Sequence, residues 1–267
     1  MIANANINSR NIFKAGTSLS DFIIDGRQIQ SEKISSTEEI FCGRMIANDM
    51  GRGADDTMVI AVEVHGLLAT NAYFYVDDKT GSGFLIDPGA ESGRLLHIIT
   101  ERALNIEKIL LTHGHFDHMG AAAAIRRRLG TPIFMHSNGK QYATNPEWNL
   151  SRSCGQDVVL NDVHYIEDGD EIVCEANKNL KLKVISVPGH TTDGVMYYSA
   201  EDHLAFVGDT IFKASHGRTD LHGGNEWTLL ESIQRKVLTL PDDTILYSGH
   251  TEETTVAEEK TRPWYAE

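Results

Sequence analysis

The chain has 267 residues, of which 41% are hydrophobic and 23% charged, and its formal net charge is −14. These values describe a soluble folded protein with enough chain to bury a core, and they disfavour global disorder. Such acidity also argues against non-specific binding to nucleic acid or anionic membranes.

Residues 1–56 are polar with short apolar pieces and read as an N-terminal extension packed on or near a main domain at 57–267. A loop rich in turn formers closes the extension at 48–56. From Met58 the pattern changes. Segments 58–64 and 72–77 read as strands, and a third strand ends at Asp87-Pro88-Gly89. A helix is predicted over 92–104, where Leu95, Leu96, Ile98, Ile99 and Ala103 recur at helical spacing. A buried strand follows at 108–111, then a helix over 118–130 closed by Gly130. Another strand lies at 131–136, and 137–160 reads as irregular or partly helical, with a local lid as one role. Strands at 182–187, 194–200 and 203–208, a helix in 225–240, a strand at 244–248 and a short terminal helix complete the chain. Strand runs mixed with strand–helix alternation predict two sheets covered by helices, rather than a barrel or a bundle.

The three cysteines, Cys42, Cys154 and Cys174, form no C-x-x-C pair. Reduced thiols are the expected state, with neither a disulfide scaffold nor a Cys-rich zinc site. The first residues lack a basic then apolar leader pattern, and no apolar run approaches the roughly 20 residues of a membrane span. A cytoplasmic, non-membrane protein is expected, and homo-oligomerisation stays open.

The strongest chemical signal is Thr112–His118, THGHFDH, between an apolar strand and a helix. His113, His115, Asp117 and His118 place four donors within six positions. Imidazole and carboxylate suit zinc and other borderline divalent metals. A lone histidine is more often a packed or surface residue; a cluster this dense points to metal. Three later strand-end turns carry His190, Asp209 and His250, each preceded by glycine. Singly each reads as a structural residue. Together with the first cluster they give seven donors, too many for one tetrahedral zinc but suited to two metals sharing a carboxylate.

These motifs resemble the metallo-β-lactamase-fold hydrolases, and within them the hydroxyacylglutathione hydrolases (glyoxalase II-like enzymes), over roughly residues 58–263. The resemblance implies an αββα sandwich with the site at one edge between two mixed sheets. It implies His113, His115 and His190 at a first metal, Asp117, His118 and His250 at a second, and Asp209 bridging them. Two divalent ions are implied, zinc first, with iron or manganese as alternatives. A metal-bridging hydroxide would attack a small acyl substrate, a thioester such as S-lactoylglutathione being the first candidate. Asp117 and Asp209 would serve as ligands, with Asp209 also orienting the hydroxide.

The run GDTIFKASHGRTD is similar to short glyoxalase II-like proteins, although Arg218 and Asp220 read first as a structural ion pair. Asp87 looks like the family's acid close to the metals, or else a strand-end cap. Asn71 and Tyr73 match an early strand pattern and are expected to shape the site floor. Only 17 residues follow His250, so the helical glutathione-binding domain of the long form is not expected, and Thr251 replaces a usual glycine. Lactonase, lactamase or phosphodiesterase activity on the same fold is the alternative. A non-catalytic metal-dependent binding or regulatory module is another. Arg126, Arg127 and Arg128 read as a solvated helix face. Tyr142, Trp148 and Phe212 read as core, lid or groove residues.

Overall fold

Two mixed β-sheets lie face to face in this computed structural model, and helices cover the outer face of each. The structure describes residues 23–24, 27–28, 46–47 and 57–265. The chain divides into two units, Met1–Cys42 and Gly43–Glu267. In the first unit β1 (Ile23–Ile24) pairs antiparallel with β2 (Arg27–Gln28). Apart from these strands and β3 (Ile46–Ala47), the expected N-terminal extension, Cys42 included, lies outside the described residues.

In the second unit the first sheet runs in sequence order. It begins with β3 beside β4 (Thr57–His65), then β5 (Ala69–Asp77) and β6 (Ser82–Ile86). It continues through β7 (Asn105–Leu110), β8 (Ile133–His136) and β9 (Val163–Ile166), which pair in parallel from β6 onward. The second sheet begins with β10 (Glu171–Val173), β11 (Lys181–Ser186), β12 (Val195–Ser199) and β13 (Leu204–Gly208). After a small hairpin of β14 (Ile211–Phe212) and β15 (Ser215–His216), β16 (Ile245–Ser248) and β17 (Thr254–Thr255) complete it.

Side-chain alternation sets the layers. On β5, Tyr73 and Tyr75 enter the core between the sheets, while Ala72, Phe74 and Val76 enter the core under the helices. On β13, Leu204 and Phe206 face inward and Ala205 and Val207 outward. Both faces of a central strand are therefore apolar, which explains why these segments read as continuous hydrophobic runs. Tyr73, Phe206 and Tyr247 interlock across the sheets, with ring centroids 5.3 and 5.4 Å apart. The expected αββα sandwich is the fold.

The helix predicted over 92–104 is α1 (Ser92–Glu101), which buries Leu95 and Ile99. The one predicted over 118–130 forms as two pieces, α2 (Phe116–Met119) and α3 (Ala122–Leu129). Gly130, at φ 76°, ends α3 and donates its N–H to the Arg126 carbonyl. The segment 137–160 contains α4 (Lys140–Thr144) and is pinned internally. Buried Asn149 donates to the Tyr142 and Val158 carbonyls at 2.8 and 2.9 Å, and its own carbonyl accepts the Phe116 N–H at 2.9 Å. The segment thus forms a wall tied to the metal-motif loop. α5 (Glu226–Ser232), capped by Asn225, continues into a π-turn at Ile233–Val237, and α6 (Val256–Lys260) follows. Among the described residues, no helix is long and apolar enough to cross a membrane.

Candidate metal centre

The chemistry-bearing turns leave the strands at one edge of the sandwich. The turn after β7 carries Thr112–His118, and those after β11, β13 and β16 carry His190, Asp209 and His250. Parallel pairing sets Gly208 of β13 beside Ser248 of β16, so Asp209 and His250 emerge side by side. Gly249 is required there. A Cβ at that position would stand 2.3 Å from Asp209 Oδ1 and 2.5 Å from His118 Cε1.

All seven sequence-predicted donors come together. Three groups each hold donor atoms within 4.8 Å of one another: His113, His115 and His190; His113, His118 and Asp209; Asp117, His118 and His250. His115 Nδ1 lies 3.1 Å from His113 Nε2 and 3.0 Å from His190 Nε2. Asp209 reaches both sides, with Oδ1 3.3 Å from His118 Nε2 and Oδ2 3.5 Å from His190 Nε2. His250 Nε2 stands 3.3 Å from Asp117 Oδ2 and 3.2 Å from Asp209 Oδ2.

Oxygen acceptors behind the rings select the atom each histidine presents. His190 Nδ1 donates to the Arg218 carbonyl at 2.7 Å, and His250 Nδ1 to the Ala69 carbonyl at 2.7 Å. His118 Nδ1 meets Asp87 Oδ2 at 2.9 Å, and His113 Nδ1 meets Thr112 Oγ1 at 3.2 Å. Four Nε2 lone pairs are thereby turned inward, the arrangement that metal-binding histidines adopt. Asp87 also accepts from Thr112 N and Oγ1 at 2.8 and 2.6 Å, so it both caps the strand end and backs His118. Thr112 heads the motif, yet sequence reasoning gave it no role.

Electrostatics separates the two halves. Burial, reinforced by neighbouring histidines, holds His113 well below its usual pKa and pushes His115 down to about 3. Burial also lowers His190, against the pull of Asp209. These three rings are neutral at physiological pH. Burial opposes charge on His118 and His250 as well, but carboxylates overcome it. Asp209, Asp117 and Asp87 raise His118 well above its usual value, and Asp117 with Asp209 lifts His250 to about 10. Burial works against ionisation of Asp117 and Asp209 too, yet the same histidines hold both below the usual carboxylate range.

His118 Nε2 and Asp209 Oδ1 are fully buried and, though 3.3 Å apart, make no hydrogen bond. Leaving such atoms unsatisfied is costly. A cation between them satisfies both, and the imidazole–carboxylate donor set fits borderline divalent metals.

The surroundings sort the remaining candidates. Tyr73 Oη donates to the Ser248 carbonyl at 2.6 Å, and Asn71 Nδ2 donates to the Ser248 and Thr251 carbonyls at 3.1 and 2.9 Å. Both residues therefore tether the His250 turn. Arg218 and Asp220 form a bidentate pair with two 2.7 Å bonds, as expected of an ion pair. Arg126 binds the Asp162 carbonyl at 2.9 Å, whereas Arg127 and Arg128 are exposed. Tyr142 is fully buried, Trp148 stacks on His222, and Phe212 packs edge-on to His250. Cys174 is buried and Cys154 exposed, both as free thiols. Asp193, wholly buried, was missed because TTDG reads as an ordinary turn; burial pushes its carboxyl up to about 7. Beside the donors opens a cleft of about 630 Å³, reaching His115, Asp117, His190, Asp209 and His250.

The profile of the metallo-beta-lactamase superfamily matches residues 65–250. A Bacillus subtilis protein described as the probable metallo-hydrolase YqgX is 38% identical over 197 residues, covering 73% of this chain and 91% of that one. The Haemophilus influenzae hydroxyacylglutathione hydrolase GloC is 33% identical over 187 residues, covering 69% and 86%. Among solved structures, the BLEG-1 B3 metallo-beta-lactamase matches with TM-score 0.73 and 32% identity, over 79% of this chain and all of that one. TTHA1623 in a di-iron-bound form matches with TM-score 0.66 and 31% identity, over 76% and 98%. This chain belongs to the metallo-beta-lactamase superfamily, and its site is that of a metal-dependent hydrolase.

Proposed function

We propose that this chain is a two-metal hydrolase that cleaves acyl-thioesters, hydroxyacylglutathiones being the first substrates to assay. The observation that carries this reading is the convergence of seven donors, in overlapping groups of three, beside an open cleft. The likeness to the Haemophilus influenzae hydrolase supports the thioester, and the di-iron neighbour supports two metals. His113, His115 and His190 hold the first position, Asp117, His118 and His250 the second, and Asp209 lies between. When bound, two divalent cations (zinc by donor preference, iron or manganese as alternatives) supply Lewis acidity and acidify a water. Asp209 accepts hydrogen bonds in the space between the positions and so orients the attacking group. Asp117 and His250 form the opposite wall. Asp87, the Ala69 carbonyl and the Arg218 carbonyl keep the rings from turning. A thiolate is a weak base and leaves without a protein acid. The likeness to the B3 enzyme favours β-lactam hydrolysis as the second reading. Metal-loaded protein assayed on thioesters, lactones, β-lactams and phosphodiesters tests this. Thioesters are expected to turn over fastest; negligible thioester turnover beside rapid turnover of another class overturns the reading.

A further inference from the structure

The cleft over the donors has walls of a definite character. Besides the donors, Phe116, Phe212, Leu68, Leu150 and Leu221 supply its apolar lining, interspersed with the small polar side chains of Ser153 and Ser215. Among the described residues lining it, the only lysine or arginine is Arg218, whose guanidinium is held bidentately by Asp220. An anionic substrate arm therefore meets no free guanidinium or ammonium there.

Leu150 adds an independent observation. Its φ is +70°, a left-handed conformation that a bulky side chain rarely adopts. The turn is held by its neighbours. Asn149 ties α4 to the chain at Val158 through both carbonyls, and Ser151 N donates to Asn149 Oδ1 at 3.0 Å. Leu150 remains half-buried and contributes to the cleft lining instead of joining a core. A strained residue held by its surroundings at a site wall is where a recognition role is expected.

We infer that the cleft selects an uncharged substrate with an apolar acyl arm lying along Leu68, Leu150 and Leu221, in preference to a polar hydroxyacyl arm on a charged thiol carrier. This rests on the thioester reading and narrows it. The volume, about 630 Å³, is in the range that encloses a drug-sized ligand and exceeds the needs of a two- or three-carbon acyl group. Apolar burial supplies the discrimination. Each fully buried methylene adds about 0.8 kcal/mol, close to a fourfold gain in kcat/KM.

The test uses the metal-loaded full chain. Its substrates are S-acyl-N-acetylcysteamines, from acetyl through butyryl and hexanoyl to octanoyl, and S-lactoylglutathione. The expected result is a rise in kcat/KM of about 30-fold or more from acetyl to hexanoyl, with S-lactoylglutathione at least tenfold below hexanoyl. Leu150→Asn, which tolerates the left-handed backbone, and Leu221→Asn are each expected to flatten the series at undiminished metal content. Asp220→Asn, which frees the Arg218 guanidinium, is expected to shift the ratio several-fold toward the glutathione thioester. A flat wild-type series, or a tenfold preference for S-lactoylglutathione, overturns the inference and leaves thioester cleavage standing. Absence of turnover on every thioester overturns both.

Discussion

Asp87 is not among the residues lining the cleft, yet it fixes two parts of the centre. It accepts from His118 Nδ1 and from both the backbone and hydroxyl of Thr112. Loss of a group that orients a metal-binding histidine typically lowers metal affinity 10–100-fold. Asp87→Ala should therefore weaken metal binding by about that factor in a chelator-competition assay, and unchanged affinity would contradict the role. Proton linkage distinguishes the two positions. His113, His115 and His190 have depressed pKa values and are neutral in metal-free protein at neutral pH. His118 and His250 are raised, His250 to about 10, so metal entry there must expel protons. Affinity at the second position should rise steeply from pH 6 to 8, by about tenfold per pH unit for each proton released, while the first changes little. Stepwise titration at the two pH values measures this; equal slopes would contradict it. Asp193 gives a stability signature of the opposite kind to an ion-paired carboxylate. Its folded pKa is raised from 3.8 to about 7, so between those values the native state holds a proton that the unfolded state has lost. Stability therefore falls as pH rises through this window, by up to about 4 kcal/mol in metal-free protein. Asp193→Asn should remove that component, so that the difference between wild-type and variant melting curves changes between about pH 4 and 7. A constant difference would count against it.

At the scale of elements, the site depends on how strand ends are tied. β5 holds the turn after β16 through Asn71 and Tyr73, across the gap between the two sheets. Asn71→Ala should cost about 1–3 kcal/mol of stability, because it removes the short bond to the Thr251 carbonyl and leaves Tyr73 Oη alone to hold the Ser248 carbonyl. It should also weaken metal binding at the His250 position more than at the His113–His115–His190 position, as read by stepwise occupancy. Equal weakening would show a general loosening instead. The sequence made the long elements legible through physical pattern. β5 and β13 present apolar residues to both faces, and α1 carries Leu95 and Ile99 one turn apart. β9, β10 and β17 escaped because they have two to four residues and lie at sheet edges, where too few apolar positions alternate to mark a strand. The 118–130 helix was read as continuous because its alanines favour helix, whereas the chain turns at Gly120 between α2 and α3. All seven donors were legible because each follows a strand-end pattern. The partners of the tethers were not: the resemblance singled out Asn71 and Asp87, but each bonds residues far away in the chain that no local spacing encodes, and Asn149 sits in a segment without a periodic pattern.

For the molecule as a whole, the charge of −14 and the metal centre are connected. Asp117 and Asp209 contribute to it, and both are buried at the centre, where bound divalent cations would offset them. Without metal, burial of the two carboxylates relies on protonated His118 and His250. A ligand that binds only the native state stabilises it, by about 4 kcal/mol at a thousandfold excess over its Kd. Chelation should accordingly lower the melting temperature by several degrees, and re-addition of zinc should restore it. If one edge of this sandwich holds two cooperating metals, activity must follow metal content. The most direct test follows thioester hydrolysis while chelated protein is titrated with zinc, with bound metal quantified at each step. Saturation is expected at two metals per chain, with most activity appearing as the second binds. Saturation at a single metal, with full activity retained after Asp117→Asn and His250→Gln, would contradict it.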